Sequence, residues 1–234
     1  LLSSVGITNL WVYKTLRVAV VSSGNELIKS GKKIKDHQVY DSNKYQIIHF
    51  LKKFNISVHD LGILKDDEIK VDKFYKKNQN KFDIIISSGG SSFSSKDYIS
   101  SFLSQNTELL FKYVRIQPGR PVIFSKLKFN YYFSLPGNPL AVFTNLFFLL
   151  SLFIDPSRKD NSSITKFYQS GFSENKKSNL TKFYRVKLSK NILYAHNSKG
   201  SAKLISLSEA DGLAFVPEGN DKIKKGEKIR FIEF

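Results

Sequence analysis

The apolar run Phe82-Asp83-Ile84-Ile85-Ile86 opens into Ser87-Ser88-Gly89-Gly90-Ser91-Ser92, with Asp97-Tyr98 just beyond. A chain leaving a buried strand through glycines and hydroxyls presents backbone N–H groups with no side chain in front of them. That suits phosphate or another oxyanion. Asp97 has the wrong sign to hold phosphate, but a carboxylate near such a loop can hold Mg²⁺ or move a proton. A Gly-Gly turn after a strand is often only a turn, so its neighbours decide. A second loop of the same texture, Ser22-Ser23-Gly24, follows Arg17-Val18-Ala19-Val20-Val21 and leads to Glu26. Asp66-Asp67 precede a charged amphipathic stretch, where helix capping is the default role. In Leu135-Pro136-Gly137-Asn138-Pro139, Asn138 is a good N-cap and Pro139 suits a first helical turn. Such a turn is expected to aim free N–H groups at a ligand.

These residues need a frame that gathers strand ends. Strands are expected at residues 17–21, 58–61, 82–86, 114–117, 122–124 and 131–135. Helices are expected at 43–54 (Asp41 and Asn43 mainly capping), 66–77, 97–104 and, as one long apolar helix, 139–153. This alternation argues for an α/β fold, a mainly parallel open sheet with helices on both faces. Ligands of such folds sit beyond the carboxyl ends of the strands, where both Ser-Ser-Gly loops fall. After Asp155-Pro156 the texture changes to short alternating strands at 183–188, 213–216 and 228–232, without a good helix. A small all-β, barrel-like domain is expected there. The expected organisation is a tail at 1–16, the α/β domain at 17–155, a linker at 156–164 and the β domain at 165–234.

Composition narrows the chemistry. The chain has no Cys, which excludes thiolate metal sites and a cysteine nucleophile and suits a reducing, cytoplasmic setting. His37, His49, His59 and His196 lack zinc-ligand spacing. The formal charge of +17 comes from lysines spread along the chain among Asn, Ile, Phe and Tyr, all with A/T-rich codons. No nucleic-acid partner is expected, and an anionic small molecule is favoured. The longest apolar run, 140–154, is interrupted by Thr144, Asn145 and Ser151 and falls short of the roughly 18 residues a membrane span needs. Met is absent and the chain starts Leu1-Leu2, so a longer parent is expected.

Read in order, the landmarks are Val21-Ser22-Ser23-Gly24-Asn25-Glu26-Leu27, Tyr40-Asp41-Ser42-Asn43, Leu61-Gly62-Ile63-Leu64-Lys65-Asp66-Asp67, and the Gly-Gly loop with Asp97-Tyr98. Gln117-Pro118-Gly119-Arg120-Pro121 and Leu135-Pro136-Gly137-Asn138-Pro139 complete them. Together they resemble the molybdopterin molybdenumtransferase family (MoeA and the gephyrin E domain). The later segments Gly200-Ser201-Ala202, Ser206-Leu207 and Glu209-Ala210-Asp211-Gly212 resemble its C-terminal β-barrel. The resemblance implies insertion of molybdate into adenylylated molybdopterin with release of AMP and help from Mg²⁺. It implies Glu26, Asp66 and Asp97 as catalytic acids, with Glu26 and Asp97 toward Mg²⁺. Ser87, Ser88, Gly89, Gly90, Ser92, Pro136, Gly137, Asn138, Pro139 and Ser201 would contact substrate. It further implies two more N-terminal domains and a homodimer.

Two departures bear on the oxyanion. The family usually has Lys at Gln117 and commonly a basic residue at Tyr113. Lys112, Arg115 and Arg120 are the cations near enough in sequence to compensate. Regular strand alternation would put Arg115 and Gln117 on one face, so both are expected at the substrate. The loop at Ser91-Ser92-Phe93-Ser94-Ser95 also lacks a glycine at Ser94. The nearest rival is the related adenylyltransferase, whose loop differs and which lacks a trailing β domain. The other rival is a non-catalytic scaffold or degenerate relative.

Overall fold

The computed structural model describes residues 1–12, 14–54, 56–91, 97–155, 160, 162–175, 179–196 and 204–234. Strand β1 (Arg17–Ser23) leads through the short pair β2 (Leu27–Ile28) and β3 (Val39–Tyr40) to helix α1 (Asn43–Lys52). Then come β4 (Ser57–Leu64), α2 (Glu68–Asn78), β5 (Ile84–Ser88), α3 (Tyr98–Asn106), β6 (Glu108–Tyr113), β7 (Ile116–Gln117), β8 (Pro121–Leu127) and β9 (Asn130–Leu135). Six of these strands form one sheet in the order β4-β1-β5-β9-β8-β6. The pairs through β9 are parallel, and β8 and β6 add an antiparallel edge. The expected α/β class and mainly parallel sheet are present.

Side-chain alternation builds a core on each face. Val18, Val20, Ile84, Ile86, Phe133 and Leu135 pack against Ile47 and Leu51 of α1 and the apolar helix after β9. The intervening Ala19, Ile85 and Tyr132 face the opposite way, against Val71 and Tyr75 of α2 and Ile99 and Leu103 of α3. A period of two in the strands and 3.6 in the helices therefore fixes both layers.

The apolar helix differs from its expectation. Helix α4 (Pro139–Asn145) passes into a π-helical turn at Leu146–Leu150 and then α5 (Ser151–Ile154). Thr144 Oγ1 donates to the Leu140 carbonyl (2.8 Å), Asn145 Nδ2 to that of Ala141 (2.8 Å) and Ser151 Oγ to that of Phe147 (2.5 Å). Side chains bonding back four residues compete with the helical ladder and loosen it. Asn145 Nδ2 also donates to the Gly119 carbonyl (3.0 Å), anchoring the turn after β7.

The C-terminal part comprises β10 (Thr165–Ser170), β11 (Glu174–Asn175), β12 (Thr181–Ser189), β13 (Ile192–Ala195), the short helix α6 (Ile205–Ser208), β14 (Gly212–Val216), β15 (Lys222–Ile223) and β16 (Lys228–Glu233). Its strands close in the order β10-β16-β14-β12-β13 and back to β10, a five-stranded barrel. Val186, Leu193, Ala214, Val216 and Phe231 fill it. Helix α6 was not legible in the sequence. The strand expected at 114–117 is split, because β7 leaves the sheet and pairs in parallel with β12. Thr181 N–H donates to the Arg115 carbonyl (2.9 Å), so the barrel takes over the backbone bonding there. Ile116, Leu140, Phe183, Leu213 and Phe215 share one apolar cluster that joins barrel to sheet.

Asp83 ties the opposite end of the sheet together. Its Oδ2 accepts from Arg17 N–H (2.7 Å), while its own N–H donates to the Arg17 carbonyl (2.9 Å) and its carbonyl accepts from Tyr131 N–H (3.0 Å). Burial pushes the carboxyl up, but the Arg17 N–H and guanidinium outweigh that and hold it below the usual range. A depressed folded pKa contributes stability that is present above the ordinary aspartate value, about 3.9, and is lost as pH falls through the folded one. Asp83→Asn should therefore lower stability at neutral pH and flatten the acid limb of a pH–stability curve. Acid titration of urea unfolding checks this, and parallel acid limbs for the two proteins would contradict it.

Candidate functional site

At the carboxyl ends of β1, β4, β5 and β9, two clefts lie side by side. One, of about 300 Å³, is lined by Glu26, Asp66, Gly89, Gly90, Asp97 and Gly137 among others. The other, of about 320 Å³, shares Ser23, Glu26 and Gly137 and adds Tyr40, Asp41, Asn43, Ser88, Pro139 and Leu204. Glu26, Asp66 and Asp97 are separated by up to 71 positions in sequence, yet they line one cleft.

Each acid is held differently. Asp66 receives Ser23 Oγ–H at Oδ1 (2.9 Å) and Asn25 N–H at Oδ2 (3.2 Å), while its own N–H donates to Asn25 Oδ1 (3.3 Å). It thus clamps the Ser-Ser-Gly loop. The capping expected of the pair falls to Asp67, which accepts from Lys70 N–H (2.9 Å). That bond leads the causes that hold the Asp67 carboxyl below its ordinary range. Asp97 is buried and is the N-cap of α3, accepting from Ser100 N–H (3.0 Å). Glu26 is exposed, and its carboxylate folds over Gly24, where a Cβ would lie 2.6 Å from Oε1.

Gly90 lines the first cleft, whereas Gly89 is tied into the sheet. Gly89 (φ +86°) donates its N–H to the Leu135 carbonyl (2.9 Å), and its carbonyl accepts from Ser134 Oγ (3.2 Å). Its N–H is therefore already committed within the sheet. A Cβ on Gly89 would stand 2.5 Å from the Ser23 carbonyl oxygen, and one on Gly90 (φ +84°) 2.6 Å from Ile99 Cβ. Lack of a side chain lets the β1 and β5 loops touch and seats α3. The N–H groups expected free at α4 are also capped: Asn138 Oδ1 accepts from Leu140 (3.0 Å) and Ala141 (3.4 Å). Of the two capping candidates at α1, Asp41 accepts from Lys44 N–H (3.4 Å), whereas Asn43 is the first helical residue and instead donates through Nδ2 to the Gly137 carbonyl (2.8 Å).

Ser88 lines the second cleft, whereas Ser87 is fully buried in β5. Pro136 and Asn138 flank Gly137, which lines both clefts. Ser92 and Ser201 lie outside the described residues. Arg115, in the bend before β7, and Gln117 are both exposed on either side of buried Ile116, the alternation expected of one face. The Arg115 guanidinium pairs with Glu218 (Nε–Oε2 2.7 Å, Nη2–Oε1 2.6 Å) and reaches the Asn179 carbonyl (3.1 Å). Neither Arg115 nor Gln117 is among the described residues that line the two clefts. Sequence reasoning missed Ser23 and Asn25 as partners of Asp66, although the Ser-Gly loop signalled them.

Among the described residues, no group of three or more His, Asp or Glu is placed to hold a metal ion alone. Mg²⁺ is commonly held by one or two carboxylates together with substrate phosphate. Glu26 and Asp97 fit that donor chemistry only jointly with a bound phosphate.

Residues 19–155 match the family described as a probable molybdopterin binding domain, and residues 169–234 match the MoeA C-terminal region (domain IV). The chain belongs to the MoeA family. It is 35% identical over 150 residues to the molybdopterin molybdenumtransferase of Haemophilus influenzae, covering 64% of this chain and 37% of that one. With the Nostoc enzyme of the same name it shares 27% over 238 residues, covering 95% of this chain and 54% of that one. The crystal structure of the molybdopterin biosynthesis MoeA protein from Pyrococcus horikosii superposes with a TM-score of 0.82 at 27% identity, covering 99% of this chain and 57% of that one. The chain thus spans between a third and three-fifths of these MoeA relatives.

Gly89→Ala should destabilise the protein by about 1–3 kcal/mol, combining positive-φ strain with the collision at Ser23. Gly62 has a similar φ of +82° but open space around a would-be Cβ, so Gly62→Ala reports strain alone. Denaturant unfolding of both checks this. Equal losses would remove the close approach from the account.

Proposed function

We propose that this chain contributes the catalytic α/β portion and the β-barrel of a molybdopterin molybdenumtransferase. It would insert molybdate into adenylylated molybdopterin and release AMP, within molybdenum cofactor biosynthesis. The observation that carries this reading is the convergence of Glu26, Asp66 and Asp97 on one cleft within the matched molybdopterin-binding region. The names of the relatives support the reaction class.

In this reading the cleft at Gly90 and Gly137 takes the pterin and its phosphate. Ser88 and the pair Asn43–Gly137 line the adjoining space for the rest of the substrate. Asp66 acts chiefly by holding the Ser23–Asn25 loop, so it fixes where Glu26 stands. Exposed Glu26 is placed to orient a water or exchange a proton at the phosphate being cleaved. Asp97, rigid at the start of α3, supplies the second carboxylate. Mg²⁺, when bound through Glu26, Asp97 and substrate phosphate, would offset charge developing on the leaving phosphate. Arg115 is tied to Glu218, so an oxyanion role for it requires that pair to open. A homodimeric active form belongs to the same proposal, as the family resemblance implies.

Glu26→Gln and Asp97→Asn should each reduce AMP release by about a hundredfold or more, the usual contribution of a positioned acid–base group. The assay uses this chain joined to the amino-terminal part of the Nostoc relative, with adenylylated molybdopterin and molybdate. Unchanged release in both variants would remove these roles. Binding of molybdopterin with no release in the unmodified protein would favour the scaffold reading.

A further inference from the structure

The sheet face that packs on α2 and α3 is apolar at Ala19, Ile85 and Ile123, but toward the carboxylate cleft it ends in buried hydroxyls. Strand alternation puts Ser87 on this face after Ile85, and Ser134 after Tyr132. The two serines are register partners on neighbouring strands, and each is 0% exposed. Ser134 Oγ donates to the Gly89 carbonyl (3.2 Å), so the pair lies beneath the Gly89–Gly90 loop. Ser87 Oγ closes no hydrogen bond of ordinary geometry among the described residues. The side chain that reaches it is Tyr75 of α2. Tyr75 is buried, with its ring stacked on Phe102 of α3 (centroids 4.9 Å apart, planes at 18°) and packed near Tyr132 (5.8 Å). Val71, one turn earlier on α2, lines the carboxylate cleft itself. Burial pushes the Tyr75 phenol well up; the interaction with Ser87 works against that, while Tyr132 and the Asp97 charge add to it. The phenol therefore keeps its proton and remains a donor. A buried hydroxyl is costly unless it finds a partner, and a Phe would fill the same space without that cost.

We propose that Tyr75 and Ser87 are positioning residues of the carboxylate cleft: the Tyr75 hydroxyl holds Ser87, and through the end of β5 this fixes the Gly89–Gly90 loop and the start of α3 at Asp97. Ser87 thus acts from beneath the loop and does not touch substrate. The inference deepens the proposed reading of this cleft and rests on it for the identity of the ligand alone.

The test is backbone-amide NMR of this chain, first without ligand and then titrated with molybdopterin. Without ligand, Tyr75→Phe and Ser87→Ala should each shift the signals of Gly89, Gly90 and Asp97. Each should bind molybdopterin at least fivefold more weakly than the unmodified chain. The double variant should lose no more than the weaker-binding single variant, because both changes break one contact. Tyr132→Phe removes another phenol hydroxyl from the same layer and should stay within twofold of the unmodified chain. Additive losses in the double variant, or a Tyr75→Phe protein that behaves as Tyr132→Phe does, would overturn the pairing. So would amide shifts confined to α2 and the body of α3. If the unmodified chain binds no molybdopterin, the pterin reading falls, and the shifts without ligand still decide whether Tyr75 and Ser87 hold the loop.

Discussion

Burial of β1 and β5 on both faces is the constraint from which the rest of the structure follows. Val18 through Val21 and Ile84 through Ile86 are almost wholly inaccessible, with helices packed above and below. Neither face of the sheet can meet a ligand, so chemistry is confined to strand ends and the loops beyond them. At the amino end the loops are closed by Asp83 and Arg17. At the carboxyl end they diverge, and there the acids and glycines gather.

Loop contacts at that end set the geometry of the acids. Gly89 meets the Ser23 carbonyl at a distance no other residue type permits, and Asp66 grips the same loop through Ser23 and Asn25. Asn43 crosses to the Gly137 carbonyl, so α1, β1, β4, β5 and the turn before α4 are cross-linked around one space. Each link is weak alone, since a net hydrogen bond is worth about 1 kcal/mol. Together they brace a rim on which Glu26 and Asp66 are exposed and Asp97 is buried. The barrel reaches this rim through Leu204, and through the apolar cluster it shares with Ile116 and Leu140 it is fixed to the sheet.

Much of this was legible in the sequence because period governs burial. The near-continuous apolar runs at 17–21, 82–86 and 131–135 announced strands, and Asp97 and Asn138 announced the starts of α3 and α4. What escaped was set by partners distant in sequence. The strand at 114–117 looked continuous, but β12 captures Ile116 and Gln117, and Glu218, 103 residues from Arg115, holds its guanidinium. Asp66 and Asp67 were alike as text; only the fold shows that one caps a helix while the other holds a loop. The glycines signalled backbone freedom correctly, yet neither spacing nor composition could show that Gly89 spends it on Ser23.

The most direct test of the central claim is where molybdopterin itself binds. Backbone-amide NMR of this chain, titrated with molybdopterin, should show the largest shifts at Ser23, Glu26, Gly90, Asp97 and Gly137, and Asp66→Asn should weaken them together by loosening the loop. Shifts confined to the barrel strands, with the strand-end loops unmoved, would contradict it.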